Sequence, residues 1–137
     1  MRACVTQEVL AEIVDGMVVG YHALGVIESA VRDGELECAG PIPPDRQSLY
    51  KELLRSLAPG EASCVVQAKA HDGVVATDDR AAREQCADLG VPVTATIGIL
   101  KACCLDGTFS PQEADAILQA MVEAGFYSPV RRVSDLG

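Results

Sequence analysis

The sequence predicts a parallel α/β fold, and three observations point there. Short apolar, β-branched runs such as VVAT at residues 74–77 and VPVT at 91–94 are the length of buried parallel strands. Segments of helical periodicity separate them, and strands with helices between them return parallel. Stop and start residues punctuate the pattern: Asp33-Gly34, Gly90, and Ser110-Pro111 with Glu113 three residues after the serine.

The elements follow in order. Residues 3–5 end a strand, and Thr6 caps a helix that carries Val9, Leu10, Ile13 and Val14 on one face. A second helix over about 21–32 buries Leu24, Ile27 and Val31. Residues 35–39 form a short strand, and the prolines at 41, 43 and 44 stiffen a loop. Leu49, Leu53 and Leu57 share one face of a helix over 45–57, which Pro59-Gly60 terminates. The next helix starts at Glu61, turns Ala62, Val65, Val66 and Ala70 inward, and breaks at Gly73. The strand at 74–77 leads to a helix over 80–89 with Ala82, Cys86 and Leu89 on its core face and Gly90 as its stop. A strand at 91–94 and a helix over 97–105 follow. Ser110, Pro111 and Glu113 open the last helix, whose core face is Ala114, Ile117, Leu118 and Met121. Residues 126–137 read as an irregular tail of a single domain spanning 1–137.

Composition bounds the function. A chain of 137 residues, 49% hydrophobic and 23% charged, is long enough for a real core. With 4% aromatic residues and no Trp, stacking platforms for single-stranded nucleic acid are nearly absent. No apolar run reaches the ~20 residues of a membrane span, and no apolar segment follows Met1-Arg2-Ala3-Cys4 as in a signal peptide. The expected location is the cytoplasm, with no membrane partner. Six cysteines without a C-x-x-C, and two histidines far apart, predict buried free thiols rather than disulfides or zinc. The net charge of -9 repels a phosphate backbone, which excludes a passive nucleic-acid binder. It suits a nuclease whose bound cations neutralise the site, and equally a basic protein partner.

Candidate chemistry lies in the acids. Asp78 and Asp79 stand where the strand VVAT ends, the edge at which open α/β sheets collect ligands. Glu61 opens one helix and Glu12 sits within another. Carboxylates converging from several elements suit Mg²⁺ or Mn²⁺, which prefer oxygen ligands. Each has a plainer reading beside it. An Asp before a helix caps it, a Glu in a first turn complements the helix dipole, and a mid-helix Glu is simply solvated. Arg80 and Arg83 flank the pair as phosphate contacts or as surface ion pairs. Thr77 orients the acids or serves only as a strand residue.

The order GEAS, TDDRAAR and VPVTATIGIL resembles the C-terminal part of PIN-domain proteins, especially small prokaryotic single-domain members. The opening ACVTQEVLAEI is similar to the strand and helix that supply that family's second acid. The resemblance implies a three-layer α/β/α sandwich around a short parallel sheet. It also implies a metal-dependent ribonuclease, often the toxin of a toxin–antitoxin pair. By position, Glu12 is the second acid, Glu61 the third, and Asp78 or Asp79 the fourth, with the T-x-D form favouring Asp79. These acids, with Thr77 beside them, would hold Mg²⁺ or Mn²⁺ and activate water against an RNA phosphodiester. The implied partners are an RNA substrate, an antitoxin protein and a second copy in a homodimer. The family's first strand and first catalytic Asp precede the element matched here at residues 3–13, so the expectation is an N-terminally truncated domain. Its alternative function is a non-catalytic PIN-like interaction module. A receiver-type signalling domain also gathers acids at strand ends, but Lys101 stands in the wrong context for one.

Overall fold

A computed structural model describes residues 2–136. The protein is helix-rich α/β with short parallel strands. In chain order the elements are β1 (Cys4–Val5), α1 (Gln7–Val18), α2 (Gly25–Arg32), β2 (Glu37–Cys38), α3 (Gln47–Leu53) and α4 (Pro59–His71). Then come β3 (Val75–Ala76), α5 (Arg80–Leu89), β4 (Val93–Thr94), α6 (Thr96–Leu105) and α7 (Pro111–Glu123). Strands β1 and β2 run parallel, with Cys4 opposite Glu37 and Val5 opposite Cys38. In the other pair the Val75 N–H donates to the Pro92 carbonyl at 3.0 Å and Thr77 N–H to the Thr94 carbonyl at 2.9 Å. Both partners advance by two residues, so β3 and β4 are parallel too. Among the described residues the strands form two separate two-stranded sheets.

The chain divides into two compact units, Met1–Val75 with Asp79–Val93, and Ala76–Asp78 with Thr94–Gly137. In the first, α4 is the central helix: Ala62, Val65 and Val66 have no exposed surface, and Leu53, Leu57, Val75, Ala82, Cys86 and Val91 close round them. In the second, Leu100, Ala114, Leu118 and Val133 form the core.

Local chemistry explains the helix starts. The Thr6 hydroxyl accepts from the Val9 N–H at 3.1 Å and caps α1. Ser110 and Glu113 form a reciprocal capping box on α7, with Pro111 at the first position. Gly90 closes α5 in the left-handed region at φ 70°.

Several boundaries and faces differ from expectation. Pro59-Gly60 does not terminate the helix of 45–57; Pro59 opens α4, because a residue without an N–H belongs where that donor is unsatisfied anyway. The preceding helix is accordingly short, a 3₁₀ turn at Pro44–Arg46 running into α3. Helix α4 ends on Asp72, left-handed at φ 53°, rather than on Gly73; Asp is among the few residues that tolerate this. The strand at 91–94 shrinks to β4 because Pro92 has no N–H for the ladder, although Val91 is buried. On α1 only Ile13 is buried and Val14 is exposed, one helical step round from the face that meets α4. Helix α2 buries none of its residues fully. The cysteines are free, but Cys4 and Cys38 are exposed and only Cys86 is buried, since two-residue edge strands cannot cover both faces. The tail from Phe126 is not wholly irregular. Val133–Leu136 forms a 3₁₀ turn, Val133 is buried, and Asp115 accepts from the Ser134 hydroxyl at 2.9 Å. Met1 and Gly137 lie outside the described residues.

Candidate acidic site

Three of the acids singled out in the sequence belong to the first unit, each at a defined place. Helix α4 begins with an unmet need. Its N-cap residue, Ala58, offers no side-chain cap, and Pro59 has no N–H, so the first orphan donor is Gly60. Glu12, two turns into α1, reaches across and accepts that N–H on Oε1 at 2.9 Å. The approach is close enough that a β-carbon on Gly60 would lie 2.8 Å from Glu12 Cδ, well inside contact distance. A buried relay engages the carbonyl of the same residue: Ser63 Oγ donates to the Gly60 carbonyl at 2.6 Å and lies 2.7 Å from Thr6 Oγ1. Thr6 and Glu12 of α1 thus both fasten the first turn of α4.

Glu61 follows directly and is half-buried. Desolvation, then the charges of Asp79 and Glu12, push its carboxyl above the usual glutamate range. Asp79 caps α5, its Oδ2 accepting from the Ala82 N–H at 2.8 Å. Glu12, Glu61 and Asp79 are therefore one electrostatic neighbourhood built from three helices. Asp78 and Thr77 belong to the second unit. The two Asp78 oxygens take the Thr96 N–H at 3.3 Å and the Thr96 hydroxyl at 2.6 Å, capping α6, whose own N-cap is an alanine. Arg80 is in a surface ion pair with Glu84 at 3.1 Å.

Two neighbours of these acids carry no obvious mark in the sequence. Gly60 has the local signature of a helix terminator, and its place in the first turn of α4 shows only in the folded chain. Tyr50 on α3 packs against the first core, and burial, then Glu8 and Glu12, push its phenol upward, so its ring belongs to the same neighbourhood.

Among the described residues, no group of three His, Cys, Asp or Glu side chains is gathered tightly enough to hold a metal ion. The donor chemistry nevertheless fits a hard cation. The charges that act on Glu61 are both carboxylates, Asp79 and Glu12, and they disfavour its ionised form. Glu12 accepts a backbone N–H on Oε1, one of its two carboxylate oxygens. Mg²⁺ keeps several waters and asks for only one or two direct carboxylates.

The upward push on the Glu61 carboxyl, from desolvation first and then from Asp79 and Glu12, has a measurable sign. A carboxyl whose folded pKa exceeds its unfolded one weakens the fold once ionised; the penalty is absent below the unfolded value and present above the raised one. Glu61→Gln is expected to raise the thermal midpoint at pH 7 by ~1–3 °C, solvent screening keeping the gain below ~1 kcal/mol. Melting at pH 4 should show the gain fading. An equal gain at both pH values would assign it to something other than charge.

The chain is thus a helix-rich α/β domain of short parallel strands, with carboxylates engaged at the starts of α4, α5 and α6. The PIN-domain family matches residues 1–136, and the chain belongs to it. That family carries a nuclease-type fold and generally uses divalent metals. Comparison with curated proteins and with solved structures found no match. Among the described residues no helix is long and apolar enough to cross a membrane.

Proposed function

We propose that this chain is a Mg²⁺- or Mn²⁺-dependent ribonuclease of PIN type, the toxin of a toxin–antitoxin pair. The observation that carries the reading is the placing of three carboxylates at helix starts of one unit, with Glu12 seated on the Gly60 N–H beside Glu61 and Asp79 capping α5; burial first, and then the charges of Asp79 and Glu12, push the Glu61 carboxyl upward. Mutual repulsion of this kind is relieved by a cation, and a bound Mg²⁺ or Mn²⁺ supplies charge for a phosphoryl oxygen and activates water. Glu61 and Asp79, with the second oxygen of Glu12, are the groups that would hold it. Asp79 is the better fourth acid, since its charge acts on Glu61 whereas Asp78 serves Thr96 at the start of α6. The net charge of -9 makes RNA binding depend on the cation as well.

A second reading has its own support. Glu12, Asp78 and Asp79 all act as helix caps, and a PIN-like interaction module needs no more of them than that. One experiment separates the two. Single-stranded RNA incubated with the protein and Mn²⁺ should be cleaved, and a chelator should abolish cleavage. Intact RNA under both conditions would leave the interaction module. A neighbouring gene for a small antitoxin, co-purifying with the product of this one, would support the toxin assignment.

A further inference from the structure

Glu12 and Glu61 stand on different helices, and one residue fixes how they meet. Gly60 precedes Glu61 in the first turn of α4, is buried, and gives its N–H to Glu12 Oε1 at 2.9 Å. Its missing side chain matters as much as its N–H. A β-carbon there would lie 2.9 Å from Glu12 Oε1 and 2.8 Å from Cδ, so the Glu12 carboxylate occupies the space an alanine would fill. The carbonyl of the same residue is held by Ser63 Oγ at 2.6 Å, and Ser63 is anchored to Thr6 at the start of α1. Both polar backbone atoms of Gly60 are therefore engaged, the N–H by Glu12 of α1 and the carbonyl by Ser63 of its own helix, and the residue has little freedom to yield.

We infer that Gly60 is a positioning residue of the acidic site, setting where the Glu12 carboxylate stands relative to Glu61 through its N–H and its absent side chain. This rests on the ribonuclease reading only for its consequence, since the placement of Glu12 is a matter of geometry. In Gly60→Ala the flexible end of Glu12 gives way rather than the backbone, while alanine suits a helix better than glycine.

The test compares Gly60→Ala with the wild type. The Glu12 carboxyl carbon resonance should move, the thermal midpoint should stay within about 3 °C, and Mn²⁺ affinity should fall about tenfold. A purely structural glycine would change the midpoint and leave the Glu12 resonance where it was. An unmoved resonance, or unchanged Mn²⁺ affinity, overturns the inference. If the wild type itself binds no Mn²⁺, the ribonuclease reading fails and the resonance alone decides the positioning of Glu12. If Gly60→Ala does not fold, Glu12→Ala in the same chain removes the group it collides with and should restore folding; failure to restore it also overturns the inference.

Discussion

Asp79→Asn is expected to lower Mn²⁺-dependent RNA cleavage by about 100-fold or more, the loss of roughly 3 kcal/mol of transition-state stabilisation from a misheld cation. The thermal midpoint should hardly change. Asp79 caps α5 by accepting the Ala82 N–H at 2.8 Å, and asparagine caps a helix about as well as aspartate. The substitution removes a charge felt by Glu61 while keeping the hydrogen bond that the fold uses. Asp78→Asn is the matched control. Its target serves Thr96 at the start of α6, so its effect should fall on stability, by about 1 kcal/mol or less, and not on cleavage. Equal cleavage by wild type and Asp79→Asn would remove Asp79 from the mechanism. Loss of cleavage in Asp78→Asn alone would reverse the assignment of the two aspartates.

The same pair shows where sequence reading succeeds and where it stops. Helix starts with a local cap are legible, because Thr6 with Val9, Asp79 with Ala82 and Ser110 with Glu113 lie within three residues of one another. The left-handed stop at Gly90 is legible for the same reason. What is hidden depends on distant residues. Pro59-Gly60 carries the local signature of an ending, and only Glu12, 48 positions earlier, shows that this turn is a beginning. Asp78 and Asp79 are indistinguishable by spacing; Thr96 separates them, 18 residues on, by occupying both oxygens of the first. The core face is plain on α4, where neighbours surround the helix, and less so on α1 and α2. There Val14 and Val26 are exposed although the helical period places apolar residues beside them. The family resemblance points to Glu12, Glu61 and either Asp78 or Asp79 by position alone. The residue against which Glu12 rests, Gly60, has no such pointer, because a missing side chain shows its purpose only once the chain is folded.

Leu118→Ala should cost more stability than any of the substitutions at the acidic site. Leu118 is completely buried in the second unit, where Leu100, Ala114 and Val133 are the other buried members of its core. Ile97, Phe109, Ile117, Met121 and Phe126 pack round that cluster from partly exposed positions. The core is small, and its members come from α6, α7 and the 3₁₀ turn at Val133–Leu136, so no single element can shift to fill a hole without losing its other contacts. Truncating a buried leucine under such constraint costs about 3–4 kcal/mol, from lost transfer energy and from the cavity left behind. For a chain of this length that corresponds to a midpoint lowered by roughly 10 °C. Hydrogen exchange locates the effect. Amides of α6 and α7 should exchange faster by the factor the free energy dictates. If those of α1 and α4 accelerate equally, the whole chain unfolds as one cooperative event; if they do not, the second unit opens alone. A loss below about 1.5 kcal/mol would mean that the site collapses readily round the truncated side chain, which a core built from three elements fastened at Ser110, at Asp78 and at Ser134 should not be able to do.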